Sequence, residues 1–329
     1  MKFLVTGGAG FTGSNLVRLL LNKGHQVVSL DNQEGLFYKE LSRLGANMIL
    51  DSVTDRDAVK KSLEGVDGVF HLAAAFRKIN VPDQYYWDVN VEGTRILCEE
   101  ALKIPGLKKF VYCSTQGVHG GLEHIPGDEN SPIKPDDYYQ ETKYEGEKVV
   151  LEFVAKGLKS IVLRPMGIYG PGDPGRFLHL YRLCKKGRFF MFGNGLTLYH
   201  PVYVENLCES FWIAFESPKQ KGEHYLIGNE NYMTLNELVH KVGESLGVKM
   251  RILYFPFSPL YGLAALCELL CKPFKIAPPL FRRRVNWYQK NRAFKIDKAR
   301  KELGYAPKVS LEEGLKRTAQ WYLKNGYLS

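Results

Sequence analysis

The sequence is poor in cysteine and has no paired cysteine motif. Its six cysteines are spread along 329 residues, with no C-x-x-C and no cysteine–histidine group at zinc spacing, so neither a metal site nor a disulfide framework is predicted. There is also no internal repeat or low-complexity tract, which argues against a repeat protein or a disordered chain. Reduced thiols are typical of the cytoplasm, and we expect that location.

Long uncharged runs are scarce as well. The first residues, 3–5, form a short apolar run before a glycine loop, without the long apolar region of a signal peptide. Only residues 252–271 reach the length of a membrane span, but Pro256 and Pro259 interrupt that run and Glu268 would lie in hydrocarbon. We therefore expect a core, lid or interfacial helix there and no spanning helix.

The positive charge is concentrated in one segment. The chain has 45 basic and 35 acidic residues, a net charge of +10. Residues 272–301 contain eleven of the basic residues and one acid, so this segment accounts for the whole excess. No nucleic-acid motif accompanies it, and no nucleic-acid partner is predicted. Three explanations stay open: a peripheral contact of residues 252–301 with an anionic membrane, a clamp for a diphosphate, or a solvated surface.

The first 165 residues alternate apolar strand patterns with helix patterns. Strands are predicted at 2–6, 26–30, 46–50, 68–71, 110–114 and 160–163, and helices at 14–23, 55–64, 89–102 and 139–156. This alternation predicts an α/β fold with a doubly wound parallel sheet of the Rossmann type. A turn-rich break at 169–175 precedes a looser pattern. We expect a nucleotide-binding domain at 1–165, with a return at about 200–227, and a smaller α+β substrate lobe at 166–329.

A glycine-rich loop between the first strand and the first helix is the strongest cofactor signal. Gly7, Gly10 and Gly13 have G-x-x-G-x-x-G spacing, and such small residues let a pyrophosphate approach N–H groups at the positive end of a helix. Asp31 ends the second strand, where a carboxylate accepts bonds from ribose hydroxyls and repels the 2′-phosphate of NADP. The sequence therefore predicts NAD as cofactor.

Tyr139 and Lys143 lie one helical turn apart and indicate proton-transfer chemistry. An ammonium group beside a phenol stabilises the phenolate and lowers the pKa of the phenol toward neutrality. Ser114 and Thr115 end the preceding strand, which places a hydroxyl beside this pair. The four residues are our candidate catalytic group.

Six motifs follow one another along the chain. They are the glycine loop, His71-Leu72-Ala73-Ala74, Asn90-Val91-x-Gly93-Thr94, Ser114-Thr115, Tyr139-x-x-x-Lys143 and Arg164-Pro165-x-x-x-Tyr169-Gly170-Pro171. Their order resembles the extended short-chain dehydrogenases/reductases, the family of NAD-dependent epimerases, dehydratases and 3β-hydroxysteroid dehydrogenases. The resemblance implies that Tyr139 is the general base or acid for a secondary alcohol or ketone. It also implies that Lys143 holds the nicotinamide ribose and that Thr115, with Ser114 beside it, binds the reacting oxygen.

The resemblance further implies the cofactor contacts and the assembly. The expected contacts with NAD are Gly7, Gly10, Phe11, Thr12, Gly13, Asp31, Asp51, Ser52, Leu72, Ala73, Ala74, Asn90, Tyr139, Lys143 and Pro165. Asn90 is also expected to brace the catalytic helix. A homodimer is expected through the helices at 89–102 and 139–156.

Two departures from the family pattern narrow the reaction. Gln116 and Gly117 follow Thr115 where dehydratases of this family have an Asp-Glu pair and decarboxylating relatives keep a glutamate at the second position, so elimination and decarboxylation are disfavoured. Tyr199 stands where sugar-nucleotide enzymes have an arginine that grips the diphosphate. We expect substrate contacts at Thr115, Gln116, Tyr199 and Arg292.

Three interpretations of the function remain. The first is an NAD-dependent dehydrogenase or reductase of a hydrophobic alcohol or ketone, because residues 253–288 resemble the steroid-dehydrogenase branch with an apolar helix, a Pro-Pro turn and a basic helix. The second is an NDP-sugar 4-epimerase of the UDP-hexose type with tightly bound NAD, in which Arg282, Arg283, Arg284 or Arg292 replaces the missing phosphate contact. The third is a non-catalytic NAD-binding scaffold, which the intact candidate catalytic group disfavours.

Overall fold

The structure is a computed structural model that describes residues 1–76, 81–274, 276 and 278–328, and the backbone alone at Arg283. Lys275 and the Arg283 side chain, both part of the predicted basic segment, lie outside the described residues. The strands are β1 Lys2–Thr6, β2 Gln26–Asp31, β3 Asn47–Leu50, β4 Gly68–His71, β5 Lys109–Cys113, β6 Ser160–Pro165, β7 Gly167–Tyr169, β8 Arg188–Phe192, β9 Leu198–Tyr199, β10 Pro201–Tyr203, β11 Lys221–Ile227, β12 Met233–Thr234 and β13 Arg251–Phe255.

Helices of the described residues connect and cover these strands. They are α1 Phe11–Asn22, α2 Tyr38–Arg43, α3 Arg56–Ser62, α4 Asp83–Trp87, α5 Gly93–Leu102, α6 Tyr138–Ala155, α7 Arg176–Cys184, α8 Val204–Glu216, α9 Leu235–Ser245, α10 Phe257–Cys271, α11 Arg282–Val285 and α12 Leu311–Lys324. Short π-helical or 3₁₀ turns occur at Asp88–Glu92, Gln116–His119, Asn286–Tyr288 and Ala299–Leu303.

A seven-stranded sheet forms the centre of the fold. Its strand order is β3-β2-β1-β4-β5-β6-β11, and every neighbouring pair is parallel. The order changes direction between β1 and β4, the switch point at which such sheets bind nucleotides. The predicted α/β class with a Rossmann-type sheet is confirmed, and β11 adds a strand from beyond residue 165.

Helices cover both faces of the sheet because successive residues of a strand point to opposite sides. In β1, Phe3 and Val5 pack with residues of α1 and α8, whereas Leu4 packs with residues of α3, α5 and α6. A strand that is buried on both faces needs apolar residues at nearly every position. This requirement explains the almost continuous apolar runs of the sequence.

A third apolar core belongs to the C-terminal half. It contains residues of α7, α9 and α12 with Tyr169 and Tyr203, and small two-stranded pairs, β7–β10, β9–β12 and β8–β13, lie around it. The Tyr181 hydroxyl donates to the Leu315 carbonyl oxygen at 2.6 Å, which ties α7 to α12. The mixture of helices and short strand pairs agrees with the predicted α+β character of this half.

Residues 253–288 contain the expected apolar helix, Pro-Pro turn and basic helix, as α10, the prolines at 278–279 and α11. The basic helix α11 spans only four residues. Lys290 bonds to Asp136, and Arg300 pairs with Glu230 at 3.0 Å. The cations are therefore distributed over several parts of the structure.

The apolar run at 252–271 forms most of β13 and the surface helix α10. Only Ala264 of the 15 residues of α10 is buried, which removes the core helix from the predicted alternatives. No helix in the described part of the chain is long and apolar enough to cross a membrane.

Candidate active site

The predicted site residues meet at the carboxyl edge of the parallel sheet. The strand ends there are Thr6, Asp31, Leu50, His71, Cys113 and Pro165. The glycine loop, Asp51-Ser52, Leu72–Ala74 and Ser114-Thr115 directly follow four of these ends. Because parallel strands end at the same edge, residues far apart in sequence line one cleft.

The glycine loop turns tightly between β1 and α1. Gly7 has a φ of +68°, and a Cβ there would lie 2.7 Å from the Ala73 nitrogen. A Cβ on Gly13 would lie 2.0 Å from the Gly7 carbonyl oxygen. At Gly10, by contrast, the one described atom near a Cβ would be the Gly7 oxygen, at 3.2 Å. Gly7 and Gly13 therefore allow close backbone packing, whereas a Cβ at Gly10 would meet only that one oxygen.

The N-terminus of α1 carries a positive potential that no described cap or first-turn acid neutralises. Its N-cap is Gly10, and among the described residues no side chain caps the helix and no acid stands in its first turn. The first backbone N–H groups of a helix, here including Phe11, Thr12 and Gly13, have no partner inside it. Together with the helix dipole they attract an anion. The pyrophosphate of a dinucleotide fits this open, uncapped helix start.

Asp31 is fixed next to the loop by backbone bonds. Its Oδ2 accepts the Ala9 N–H at 3.0 Å and its Oδ1 accepts the Gln33 N–H at 3.3 Å. Burial raises the pKa of Asp31, and these N–H groups oppose that shift. Asp51 lies at the neighbouring strand end, where its N–H donates to the Asp31 carbonyl oxygen at 2.9 Å and its Oδ1 accepts the Ser52 N–H at 2.7 Å. The carboxylate of Asp31 is placed to accept ribose hydroxyls.

Asp31→Asn is expected to weaken the preference for NAD. The amide keeps the size of the side chain but loses the charge that binds ribose hydroxyls and repels a 2′-phosphate, so kcat/KM with NAD should fall about tenfold, since bonds to charged groups contribute about 1.5–3 kcal/mol. Asp57→Asn, at an exposed position of α3, is the matched control. Steady-state kinetics with NAD and NADP measure the ratio, and an unchanged ratio would contradict the assignment.

A buried polar chain beneath the loop was not predicted. Thr6 Oγ1 and His71 Nδ1 are 2.6 Å apart, and His71 Nε2 lies 2.9 Å from Thr94 Oγ1. The Ala73 N–H donates to Thr6 Oγ1 at 3.2 Å. Burial lowers the pKa of His71 far below its usual value, so the ring is neutral. These hydrogen bonds hold Ala73 next to Gly7. Their signal in the sequence is a polar residue at the end of each of two apolar strands, Thr6 in β1 and His71 in β4.

Asn90 joins this region to the helix that carries the candidate catalytic pair. Its Oδ1 accepts the Ala75 N–H at 2.8 Å and its Nδ2 donates to Thr142 Oγ1 at 2.9 Å. Thr142 lies on α6 between Tyr139 and Lys143, and its hydroxyl donates to the Tyr139 carbonyl oxygen at 3.1 Å. This arrangement makes Asn90 a positioning residue for α6.

The start of α6 fixes Tyr139 and Lys143 on one side of the cleft. Asp137 caps the helix by accepting the Gln140 N–H at 2.9 Å. Tyr139 is 9% exposed, and the Lys143 Nζ lies 4.2 Å from the centroid of the Tyr112 ring. Burial lowers the pKa of Lys143 to about 8.

Two buried side-chain oxygens here have no hydrogen-bond partner among the described residues. They are the Oγ of Ser114 and the Oε1 of Gln116. A buried polar group without a partner destabilises a protein. A ligand that carries hydroxyl groups would satisfy such atoms, and the ribose of NAD and the reacting oxygen of a substrate both have this chemistry.

Thr115 and Gly117 shape the other side of the cleft. Thr115 Oγ1 accepts the Gly117 N–H at 3.0 Å, which leaves the threonine proton available for another acceptor. A Cβ at Gly117 would lie 3.0 Å from the Gln140 side chain. A glutamate at this position would therefore require Gln140 to move.

Tyr199, an expected substrate contact, packs in the apolar core of the C-terminal half. It is 3% exposed, and its hydroxyl accepts a bond from Arg176 Nη1 at 3.3 Å. Arg292 pairs with Tyr199 through a backbone bridge, and its N–H donates to the Leu198 carbonyl oxygen at 2.9 Å. Sequence reasoning missed Arg176, whose only signal is its place at the start of α7 after the turn-rich break.

Arg282 is another cation that the epimerase interpretation places near a diphosphate, but in the structure it bonds to an acid of α10. Its Nε donates to Glu268 of α10 at 2.8 Å. The Arg283 side chain lies outside the described residues. All six cysteines are free thiols, and no group of three potential metal ligands occurs among the described side chains.

Known proteins resemble this chain over nearly its whole length. A sequence model described as the NAD dependent epimerase/dehydratase family matches residues 3–228. The 2-alkyl-3-oxoalkanoate reductase of Stenotrophomonas maltophilia is 32% identical over 96% of this chain and 98% of its own. A 3β-hydroxysteroid dehydrogenase/Δ5→4-isomerase of Mycobacterium tuberculosis is 32% identical over 98% of this chain and 90% of its own. The solved UDP-glucose 4-epimerase of Thermotoga maritima, with UDP-glucose, is 28% identical, covers 99% of both chains and has a TM-score of 0.80.

Proposed function

Because the chain belongs to the NAD-dependent epimerase/dehydratase family of extended short-chain dehydrogenases/reductases, we propose that it transfers hydride between NAD and a hydrophobic secondary alcohol or ketone. The observation that carries the proposal is the buried Tyr139–Lys143 pair on α6, at the same sheet edge as the open, uncapped start of α1. A protein that only bound NAD would not need this pair.

The residues divide the chemistry among them. NAD supplies the hydride acceptor or donor when it is bound. The Tyr139 phenolate oxygen takes the proton of the alcohol during oxidation, and the Tyr139 hydroxyl gives a proton to the ketone oxygen during reduction. Lys143 binds the nicotinamide ribose and, as a cation, stabilises the Tyr139 phenolate. Thr115 donates its free hydroxyl proton to the reacting oxygen, and Ser114 and Gln116 line the same pocket.

The aromatic surroundings of Tyr199 support the proposal of a hydrophobic substrate. Tyr199 replaces a phosphate-binding arginine and lies among aromatic rings, 6.1 Å from the Trp287 ring and 6.3 Å from the Phe177 ring. The named substrates of the two curated relatives, a 2-alkyl-3-oxoalkanoate and a 3β-hydroxysteroid, consist mostly of hydrocarbon. Apolar and aromatic walls with a few polar groups suit such ligands.

A second candidate, NDP-sugar 4-epimerisation, is favoured by one observation. Arg176 bonds to the Tyr199 hydroxyl and Arg292 pairs with Tyr199 through a backbone bridge, so two basic residues neighbour the position of the missing family arginine. They could bind a diphosphate together. The likeness to the UDP-glucose 4-epimerase is compatible with this candidate.

Incubation of enzyme and NAD with cholesterol and, separately, with UDP-glucose tests the two candidates. We expect NADH to accumulate with cholesterol, because oxidation of the alcohol leaves the hydride on the cofactor. Conversion of UDP-glucose into its 4-epimer without net NADH would favour epimerisation. Enzyme incubated with NAD alone is the control for background reduction.

Three further expectations belong to this proposal. We infer a boundary at residue 165 between an NAD-binding domain, to which β11 returns, and a substrate lobe at 166–329. We infer a homodimer through α5 and α6, and a cytoplasmic enzyme with a peripheral membrane contact. Free thiols support the cytoplasmic location.

A further inference from the structure

Apolar side chains are exposed along α10 and the segments next to it. We call the following residues the apolar surface: Tyr254, Phe255, Leu263, Leu266, Leu269, Leu270, Phe274 and Ile276. They are between 43% and 74% exposed. Soluble monomers rarely expose contiguous apolar patches of more than a few hundred Å². A surface helix with four exposed leucines therefore suggests a contact surface.

Cations border the apolar surface. Lys272 and Arg284 are exposed, and the Arg284 guanidinium lies 5.5 Å from the centroid of the Phe281 ring. The single acid of α10, Glu268, accepts bonds from the Nε and the N–H of Arg282 at 2.8 and 2.7 Å, so its charge is neutralised. Leucines bordered by cations complement a bilayer with anionic headgroups.

A line of aromatic rings connects the apolar surface to Tyr199. Phe255 lies 5.8 Å from Phe192, and Phe192 lies 5.5 Å from Tyr288, measured between ring centroids. Trp287 is 5.2 Å from Tyr288 and 6.1 Å from Tyr199. The line therefore runs from an exposed phenylalanine to the tyrosine that replaces the phosphate-binding arginine.

The same segment reaches the catalytic helix. Lys290, two residues beyond Tyr288, bonds to Asp136, which precedes the α6 N-cap Asp137. The Cβ, Cγ and Cδ atoms of Lys290 also lie 3.4–3.8 Å from where a Cβ of Gly121 would be. The segment that contributes Trp287 and Tyr288 to the line of rings thus also contacts the residue before the N-cap of the helix that carries Tyr139.

We propose that the apolar surface inserts into the headgroup region of an anionic lipid bilayer, and that the enzyme takes its substrate from that bilayer along the line of rings. The substrate would then be a secondary alcohol or ketone with a membrane-embedded apolar part. The bilayer contact stands independently of the proposed hydride transfer, whereas the uptake of substrate rests on that proposed function.

A second copy of the chain fits the apolar surface less well. In a two-fold symmetric contact the same patch faces itself. Lys272 and Arg284 would then approach identical cations, and like charges across an interface oppose binding. The charge of the surface favours the bilayer.

Vesicle flotation of the full chain tests the bilayer contact. The wild-type protein should float with vesicles of equimolar phosphatidylglycerol and phosphatidylcholine, and less with phosphatidylcholine alone. Leu266→Gln/Leu270→Gln should lower the partition coefficient by about tenfold or more, because burial of apolar area drives insertion. Leu44→Gln/Leu323→Gln, at leucines 49% and 50% exposed on other elements, should bind like the wild type.

Three outcomes would overturn the bilayer contact. They are absence of wild-type flotation, equal flotation of the Leu266→Gln/Leu270→Gln variant, and a dimer that this variant dissociates while neither protein binds vesicles. The last result, from light scattering, would make the surface an interface between copies.

Activity measurements separate this contact from the proposed function. With NAD, Leu266→Gln/Leu270→Gln should oxidise cyclohexanol in solution at the wild-type rate and cholesterol in vesicles about tenfold more slowly, in proportion to lost binding. Equal rates on vesicle cholesterol would overturn uptake from the bilayer. Flotation without turnover of either alcohol would contradict the proposed function and uphold the contact. Turnover of cyclohexanol without flotation would support the proposed function and contradict the bilayer contact.

Discussion

Tyr139→Phe is expected to abolish turnover while NAD still binds. The change removes only the hydroxyl that exchanges a proton with the substrate, and loss of a general acid–base group lowers kcat by about 10²- to 10⁴-fold. The ring can keep its edge-on contact with Phe76, at 5.0 Å between centroids. The Tyr139 carbonyl oxygen still accepts the bond from Thr142. Steady-state kinetics and a fluorescence titration with NAD measure the two effects.

The neighbouring tyrosine supplies a matched control. Tyr138 is the first residue of α6, and its ring lies 6.3 Å from that of Tyr86, on another side of the helix. Tyr138→Phe should keep the wild-type kcat. Near wild-type turnover in Tyr139→Phe would reject its role in proton transfer. An equal loss of activity in Tyr139→Phe and Tyr138→Phe, with unchanged thermal unfolding, would also reject the role of Tyr139 in proton transfer.

The fold was predictable because its signals are local. Strands buried on both faces need continuous apolar runs, and the glycine loop marks the turn between β1 and α1. The cofactor edge followed from the same reasoning, because parallel strands end together. The position of Asp31 next to the glycine loop could be predicted without knowing a single tertiary contact.

Contacts between distant residues were not predictable in the same way. Arg176 and Tyr199 meet because α7 packs against the small strand pairs, and the sequence contains no pattern that aligns them. The excess charge of residues 272–301 was treated as one basic segment because its residues are close in sequence. In the structure Lys290 turns toward Asp136, while Lys272 and Arg284 remain near α10. The positions of the charges depend on packing, and the number of basic residues in a segment does not reveal that packing.

The network under the glycine loop shows the same limit. His71 and Thr6 end adjacent strands, and their side chains meet because β1 and β4 pair in parallel register. From the sequence alone, either residue could have faced the cofactor. Both side chains are buried. They therefore stabilise the position of Ala73, whose N–H bonds to Thr6, and do not themselves face the cofactor cleft.

Lys143→Met is expected to remove activity and to stabilise the protein without its cofactor. The ammonium group that stabilises the Tyr139 phenolate and binds the ribose is lost, so kcat/KM should fall by about 10²- to 10⁴-fold. Methionine fits the same buried space without a charge. The pKa of Lys143 falls from 10.5 to about 8 on folding because the buried ammonium group loses its hydration. Every tenfold loss of proton affinity costs the folded, charged form about 1.4 kcal/mol.

The gain in stability should depend on pH in a defined window. Below pH 8 the lysine is charged in both the folded and the unfolded state, and the folded state carries the full cost of burial. Between pH 8 and 10.5 the unfolded state binds more protons, so the wild-type protein becomes more stable relative to the variant as pH rises. The variant should therefore be about 3 kcal/mol more stable at pH 7, and its advantage should vanish above pH 10.5.

A second buried lysine tests whether this gain is specific to the cleft. Burial also lowers the pKa of Lys109 to about 8, but its Nζ donates to the carbonyl oxygens of Ala214, at 3.1 Å, and Ser217 near the end of α8. Lys109→Met leaves those oxygens without a donor, so it should destabilise the protein by about 1–3 kcal/mol at pH 7. Urea unfolding of both variants across the pH range measures the difference. Destabilisation by Lys143→Met at pH 7 would show that contacts within the protein, such as the one with the Tyr112 ring, outweigh the cost of burying the ammonium group, and would contradict the prediction.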